Sequence, residues 1–434
     1  MRVAFHNLGC KVNSYELDIV RQQFLEAGYE EVPFDREADV YIVNTCSVTN
    51  IADRKSRQML HRAKRENPAA VVIAMGCYVE TAKDVLSDGT VDLAVGNKDK
   101  KNTLAILRAY EKSAVEAGSA GETAQGTVLL KHAGRTRADI KIQDGCNQFC
   151  TYCIIPYARG RIESRPQDEI LSEIRQIAAD GIREVVLSGI HISSYGRDEG
   201  RQPEDALPEL LDRIAEIPDI ERIRISSVEP GIMTQRFIDR AARNEKLCPH
   251  FHMSLQSGCD RTLKRMNRHY SADEYYESVL RLREAYGDPA ITTDVIVGFP
   301  DETQQDFEAS KAFLEKVNFY QIHVFKYSRR SGTPAATMDG QIPEREKARR
   351  SDILLELTSQ QAAAYRAARI GRQEAILPED AVLVDGRKWF RGHTERYVEY
   401  LIPEEAAASG RMVRGTAAWL KEEGGLMVLK DLQF

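Results

Sequence analysis

Ala138-Asp139-Ile140-Lys141-Ile142-Gln143-Asp144-Gly145-Cys146-Asn147-Gln148-Phe149-Cys150-Thr151-Tyr152-Cys153 joins an alternating, strand-like run to three closely spaced cysteines. Three thiolates on one short loop can hold three corners of a [4Fe–4S] cluster and leave the fourth iron open to a small molecule. The alternative is a structural zinc knuckle, which needs a fourth ligand such as His191, Cys248 or Cys259. Placement straight after the first strand of a β/α series favours the cluster.

Outward from this loop the β/α rhythm continues. Strand patterns recur at Glu184 to Leu187, Arg222 to Ser226, Phe251 to Leu255, Thr292 to Val297 and Tyr320 to Phe325, with helical patterns such as Gln167 to Ala179 and Ser271 to Tyr286 between them. About six units predict a full or partial β/α barrel with its site at the carboxyl ends of the strands. Upstream, Arg2 to Phe5, Val40 to Val43 and Val71 to Ala74 alternate with helical patterns at Ser14 to Ala27 and Asn50 to Glu66. That βαβαβ order predicts an open parallel sheet. Cys10, Cys46 and Cys77 each fall just past one of its strands, where open α/β sheets place their ligands. Downstream, Gln341 to Arg369 reads as one long helix. Short strand patterns follow at Glu374 to Leu377, Ala381 to Val384, Tyr397 to Leu401, Gly415 to Leu420 and Leu426 to Leu429, which fits a small antiparallel β-barrel. The expected α/β organisation is therefore an N-terminal domain at 1–113, a small-residue linker at 114–131, a barrel core at 132–364 and a β-barrel tail at 365–434.

Bulk composition constrains the setting. The 434 residues are 42% hydrophobic and 29% charged, which is ordinary for a globular protein. No apolar run reaches transmembrane length, and the start Met1-Arg2-Val3-Ala4-Phe5-His6 turns polar at once, which predicts no membrane association, no secretory leader and a cytoplasmic location. In that compartment eight cysteines point to ligands or buried fillers more than to disulfides. A net charge of −6 gives no global case for nucleic acid, so any such contact must be local.

The cysteine loop, C-x3-C-x-aromatic-C with Tyr152 as the aromatic residue, resembles the signature of radical S-adenosylmethionine (SAM) enzymes. Gly9-Cys10-Lys11-Val12-Asn13-Ser14-Tyr15-Glu16, Asn44-Thr45-Cys46-Ser47-Val48-Thr49 and Met75-Gly76-Cys77-Tyr78 are similar to the N-terminal domain of the methylthiotransferases of that superfamily. So are Cys153 to Arg161 and Ser254-Leu255-Gln256-Ser257-Gly258, and the tail resembles a TRAM domain, so the likeness spans the whole chain. The resemblance implies two [4Fe–4S] clusters, an auxiliary one on Cys10, Cys46 and Cys77 and a SAM-binding one on Cys146, Cys150 and Cys153. It further implies SAM as cofactor, with Ser188, Gly189 and Glu229 near its polar groups, and an electron donor such as flavodoxin or ferredoxin. Within the family, Gly-Cys-Lys-Val-Asn and Thr-Asn-Ile-Ala-Asp-Arg-Lys-Ser-Arg-Gln look like the branch that acts on N6-threonylcarbamoyladenosine. That branch methylthiolates carbon 2 of the base at position 37, beside the tRNA anticodon. Other branches act on prenylated adenosine or on a small-subunit ribosomal protein. In the implied chemistry one SAM methylates a cluster sulfur, a second yields the radical that removes the inert hydrogen, and no protein nucleophile is needed.

Local basic patches supply the physical case for the anticodon stem-loop as partner. Arg54, Lys55, Arg57, Arg62 and Arg65 crowd the helix directly after Cys46, where they can neutralise phosphates. In the tail, Lys388-Trp389-Phe390-Arg391 mixes cations with aromatics able to stack on bases. From Tyr365 onward, however, basic and acidic residues balance at eleven each, so the tail has no positive excess. Cys248 and Cys259 lack partners at ligand spacing and read as structural. Two non-family alternatives are a zinc-containing RNA-binding module and a radical SAM enzyme with a single cluster.

Overall fold

In the computed structural model, residues 1–82, 89–115, 136–406, 411–421 and 425–433 are described. The N-terminal apolar runs become adjacent strands because each is followed by a helix whose apolar stripe needs a sheet to cover it. β1 (Arg2–Asn7) leads into α1 (Lys11–Glu26), followed by β2 (Glu30–Glu31), β3 (Val40–Thr45), α2 (Asn50–Glu66), β4 (Val71–Gly76), α3 (Cys77–Thr81), β5 (Leu93–Val95) and α4 (Thr103–Val115). The sheet order is β2-β1-β3-β4-β5, and its pairings are parallel. β3, at the centre, is buried along its whole length, as a strand covered on both faces must be. Val3, Leu17, Phe24, Ile42 and Ile73 pack on one face, and Ala4, Tyr41, Val43, Leu60 and Val72 on the other. β2 and β5 escaped the sequence reading because two glutamates and a three-residue run carry no apolar alternation. Of the expected linker, Ala114 and Val115 still belong to α4, and the rest lies outside the described residues.

The next series comprises β6 (Arg137–Asp144), α5 (Ile155–Ala158), β7 (Glu163–Ser164), α6 (Gln167–Ala179), β8 (Glu184–Gly189), α7 (Pro203–Ala215), β9 (Arg222–Ile225) and α8 (Gln235–Ala241). It continues through β10 (His250–His252), α9 (Asp260–Arg265), α10 (Ala272–Tyr286), β11 (Ala290–Val297), α11 (Gln304–Val317), β12 (Gln321–Lys326) and α12 (Glu344–Ala367). One sheet runs β7-β6-β8-β9 and another β10-β11-β12, with a parallel bridge between Val228 and Met253 linking the two. The result is a partial barrel of seven strands, with the two-residue β7 at one edge. Its strands send alternate residues such as Ile140, Leu187, Ile223, Phe251 and Val295 outward into one apolar layer beneath the helices. α10 begins where the sequence placed it, with Ser271 and Glu274 forming a reciprocal capping box.

β13 (Gln373–Val384), β14 (Arg387–His393), β15 (Glu399–Pro403), β16 (Val413–Trp419) and β17 (Met427–Gln433) close a barrel in the order β13-β14-β15-β17-β16. Two corrections apply. The strands expected at 374–377 and 381–384 are one strand, bent by a bulge between Pro378 and Asp380, where proline has no amide hydrogen to give the ladder. The barrel is antiparallel except at β15–β17, which meet in parallel at Leu401 and Val428.

The chain divides into two compact units: Met1–Lys131 with Gln143–Glu163 and Ser328–Thr337, and His132–Ile142 with Ser164–Tyr327 and Met338–Phe434. In the second unit the tail is welded to the inner face of the partial barrel. Arg222 donates to the carbonyls of Ala375 (2.6 Å) and His393 (3.1 Å), and Arg224 to those of Thr394 (3.1 Å) and Glu395 (2.9 Å). Tyr397 stacks between His250 and His393, at centroid distances of 5.1 and 4.4 Å. Glu184, 3% exposed, balances the two arginines, 3.2 Å from Arg224 and 3.7 Å from Arg222. Burial pushes its carboxyl up, but the two guanidiniums outweigh that and hold it below the ordinary carboxylate value.

Because the folded-state value is depressed, this contribution to stability is fully present above the unfolded-state value and is lost as pH falls through the folded one. Arg224→Met leaves Glu184 buried with only the longer contacts to Arg222 (3.7 Å) and Arg137 (4.0 Å) and is expected to cost about 3–5 kcal/mol in urea unfolding at neutral pH. The deficit should shrink on acidification.

Candidate cluster-binding site

Each N-terminal cysteine sits where its strand hands over to a helix. Cys10 is the N-cap residue of α1, Cys46 follows β3, and Cys77 opens α3 straight after β4. Parallel pairing in register, with Asn7 opposite Asn44 and Thr45 opposite Gly76, brings these three ends to one sheet edge. Cys10 is exposed, whereas Cys46 and Cys77 are buried. Gly9 packs so closely that a Cβ there would lie 3.1 Å from the Cys46 sulfur and 2.9 Å from Asn13 Nδ2. The Cys46 amide donates to Ser56 Oγ at 3.2 Å, which ties the thiol's backbone to α2. Burial pushes the Cys46 thiol up, and the neighbouring Cys77 and Cys10 thiolates push it further. Three thiols brought to one edge are a donor set that a multivalent iron–sulfur core would satisfy, its positive charge taking the place of the protons. Asn97 Nδ2 lies 3.7 Å from the Cys77 sulfur and completes the polar surroundings of this set.

The second set is carried by the loop after β6. Its base is pinched: a Cβ on Gly145, at φ +65°, would fall 1.8 Å from the Arg161 carbonyl oxygen, and the Cys146 amide donates to the Gly160 carbonyl at 3.1 Å. Phe149 adopts φ +49°, the left-handed turn that curls the loop, and the Cys153 amide donates to the Cys150 carbonyl at 2.9 Å. The Gln148 amide donates to the Cys146 sulfur at 3.4 Å, a backbone contact that favours a charged sulfur. A curled loop with three cysteines and one amide donated to a sulfur fits a cluster held by three cysteines.

The residues expected to complete a zinc site have other partners or surroundings. His191 is engaged by Ser194 (2.6 Å) and Glu229 (3.1 Å), and the Cys259 sulfur lies 3.4 Å from Asp306. Cys248 is buried, its thiol pushed up to about 11 by that burial.

Of the residues expected near SAM, Ser188 is buried with its hydroxyl 3.3 Å from the Ile140 carbonyl, and Gly189 ends β8. Glu229 holds Arg268 at 2.8 Å with one carboxylate oxygen and His191 at 3.1 Å with the other. Burial raises this carboxyl, but the His191 hydrogen bond and the Arg268 charge outweigh it and keep Glu229 ionised. Sequence reasoning missed Arg268 and His191 as its partners.

On α2, Arg54, Lys55, Arg57 and Arg65 are exposed, while Arg62 is half-buried and 3.3 Å from Glu66. In the tail, Lys388 faces Glu404 at 3.4 Å and Arg391 faces Asp380 at 2.9 Å. Trp389 is buried in one small core of the barrel, which corrects its expected role as a base-stacking platform, while Phe390, on the opposite face of β14, is half-buried against another.

Two sequence families match: one described as the Radical SAM superfamily over residues 140–314, and one described as Uncharacterized protein family UPF0004 over residues 2–96. The chain is 38% identical over 419 residues to the threonylcarbamoyladenosine tRNA methylthiotransferase MtaB of Bacillus subtilis, covering 95% of this chain and 92% of that protein. It is 34% identical to a tRNA-2-methylthio-N(6)-dimethylallyladenosine synthase of Acetivibrio thermocellus, covering 94% and 86% respectively. Among solved structures it resembles the radical S-adenosylmethionine methyltransferase TsrM of Kitasatospora setae, with a TM-score of 0.57 and 14% identity over 77% of this chain and 73% of that one.

Gly9→Ala is expected to abolish iron binding at the Cys10, Cys46 and Cys77 set, since its Cβ takes the space beside the Cys46 sulfur. Iron and sulfide counts after anaerobic reconstitution should fall by about four atoms each per chain, with the other set still loaded.

Proposed function

The chain belongs to the radical SAM methylthiotransferase family, and from that premise we propose that it methylthiolates carbon 2 of N6-threonylcarbamoyladenosine at position 37 of tRNA. The observation that carries this reading is the convergence of Cys10, Cys46 and Cys77 at one sheet edge, in addition to the three-cysteine loop after β6. A radical SAM enzyme takes SAM and one [4Fe–4S] cluster; two complete thiol sets support two clusters in this chain. When bound, these groups supply the reducing electron, the adenosyl radical that removes a hydrogen atom from an unactivated aromatic carbon, and the sulfur and methyl that replace it.

The protein's own residues hold and shield. The loop from Gly145 to Cys153 would hold a cluster by the sulfurs of Cys146, Cys150 and Cys153, and the cluster would supply the electron that cleaves SAM. Ser188 and Gly189 offer polar backbone and hydroxyl groups at the carboxyl end of β8, where barrels of this kind bind ligands. Glu229, ionised, fixes His191 and Arg268 in one orientation for the polar end of SAM. Arg54, Lys55, Arg57 and Arg65, with Arg62 behind them, form the principal phosphate-binding face, on the helix anchored to Cys46 by Ser56. Lys388 and Arg391 contribute less, because adjacent carboxylates already neutralise them. A cytoplasmic setting and a flavodoxin- or ferredoxin-type electron donor complete the proposal. No helix among the described residues is long and apolar enough to cross a membrane.

Nucleoside mass spectrometry of tRNA from a strain lacking the protein should show loss of methylthio-threonylcarbamoyladenosine. Loss of the prenylated product instead would reassign the substrate. Arg54→Glu with Arg57→Glu should raise KM for tRNA while leaving kcat nearly unchanged, and should lower the salt slope of binding by about 0.9 per phosphate contact removed.

A further inference from the structure

The first unit buries a second charged assembly that none of the chemistry above uses. Arg159, with a side chain 1% exposed, forks onto Glu16: Nη1 donates to Oε1 and Nη2 to Oε2, each at 3.0 Å. The same guanidinium donates to Asn13 Oδ1 at 2.6 Å and to both oxygens of Asp144 at 3.0 and 3.1 Å. Lys100, 3% exposed, supplies a second cation, 2.5 Å from Glu16 Oε2 and 3.3 Å from Asn13 Oδ1.

Every acceptor in this assembly is tied to a thiol-bearing segment. Asn13 Nδ2 donates to the carbonyls of Leu8 (2.7 Å) and Thr45 (3.0 Å), two residues before Cys10 and one before Cys46. Asp144 Oδ1 accepts the amide of Gly145 at 2.7 Å, one residue before Cys146. A parallel tie runs through Asn97, whose Nδ2 donates to the Ala158 carbonyl at 2.8 Å and lies 3.7 Å from the Cys77 sulfur. The assembly thus joins α1 and the end of β3 on one side to the base of the three-cysteine loop on the other.

A buried ion network of this size gives little net stability over an apolar plug of equal volume. What it does give is direction, because a guanidinium fork accepts its carboxylate in one plane and one register, which a lysine cannot reproduce. We propose that Arg159, with Glu16 and Asn13, is a positioning device that fixes the separation and orientation of the two thiol sets, without serving as a ligand in either. This rests on the two-cluster reading. Methylthio transfer requires substrate, radical source and sulfur source in one geometry, whereas SAM cleavage requires only the loop after β6. The network therefore sets how often a radical event ends in product.

The test uses the reconstituted full-length enzyme with Glu16→Gln, which preserves volume, and Arg159→Lys, which preserves charge. Iron and sulfide content and the rate of 5′-deoxyadenosine formation should match wild type within about twofold. Methylthiolated nucleoside per deoxyadenosine should fall about tenfold to a hundredfold, the effect of roughly 1 Å of misplacement. Electron paramagnetic resonance of the doubly reduced enzyme should show altered spin–spin broadening between the clusters. Unchanged product ratio and broadening would overturn the proposal. So would iron content and SAM cleavage falling in step with product, which would mark the network as structural only. A wild-type enzyme that holds only about four irons would remove the two-cluster premise itself, before any variant is compared.

Discussion

Parallel strands joined by crossover helices must deliver their carboxyl ends to the same edge, and that constraint organises the thiol chemistry of this chain. β1, β3 and β4 are neighbours in register, so three cysteines far apart in sequence become neighbours in space without any local motif. Once they converge, burial and the two neighbouring thiols raise the Cys46 thiol, so a cation that takes it as a ligand displaces a proton. The rest of the first unit supports that edge: Gly9 leaves room for the Cys46 sulfur, Ser56 holds the backbone of Cys46, and Asn97 reaches Cys77.

The two donor sets illustrate opposite ways of building a metal site. The loop from Gly145 to Cys153 is local: its spacing, its left-handed Phe149 and its pinched base are all encoded within about fifteen residues. The Cys10, Cys46 and Cys77 set is topological and exists only through the sheet. Buried cations then bind α1 to the local loop, so that an element from each mode shares one rigid carboxylate, Glu16.

Legibility in the sequence follows the same divide. Strands β1, β3 and β4 and helix α2 were readable because their apolar period is strong; α2 begins and ends where the pattern placed it. The local cysteine loop was readable outright, and the dispersed set was readable through the strand ends. Arg159 and Glu16 stood within stretches whose importance was visible, but their pairing spans 143 positions and no periodicity encodes it. Trp389 was misread because a cation-flanked aromatic looks the same on a surface strand as on one wall of a closed barrel. β14 was hidden because Arg387-Lys388 and Trp389-Phe390 stand as like pairs, which breaks the alternation that marks a strand. The bulge at Pro378 was likewise invisible, because a proline between two apolar runs reads as a break until the partner strand is seen to pass both.

The stacking of Tyr397 between His250 and His393, with Arg222 and Arg224 bonded to the tail's backbone, has a kinetic meaning for a large polymeric substrate. A tail on a flexible tether samples many distances and dilutes whatever it holds over a wide volume. A tail clamped to the barrel samples one distance. Any strand it touches is delivered at a fixed offset from the barrel, so the second contact forms as an intramolecular step at high effective concentration. For a substrate that touched both tail and barrel, such a joint would act as a ruler, rewarding those whose two contact points match its span. Selectivity of this kind comes from length and shape, and a tail whose charges are already balanced can exercise it with little affinity of its own.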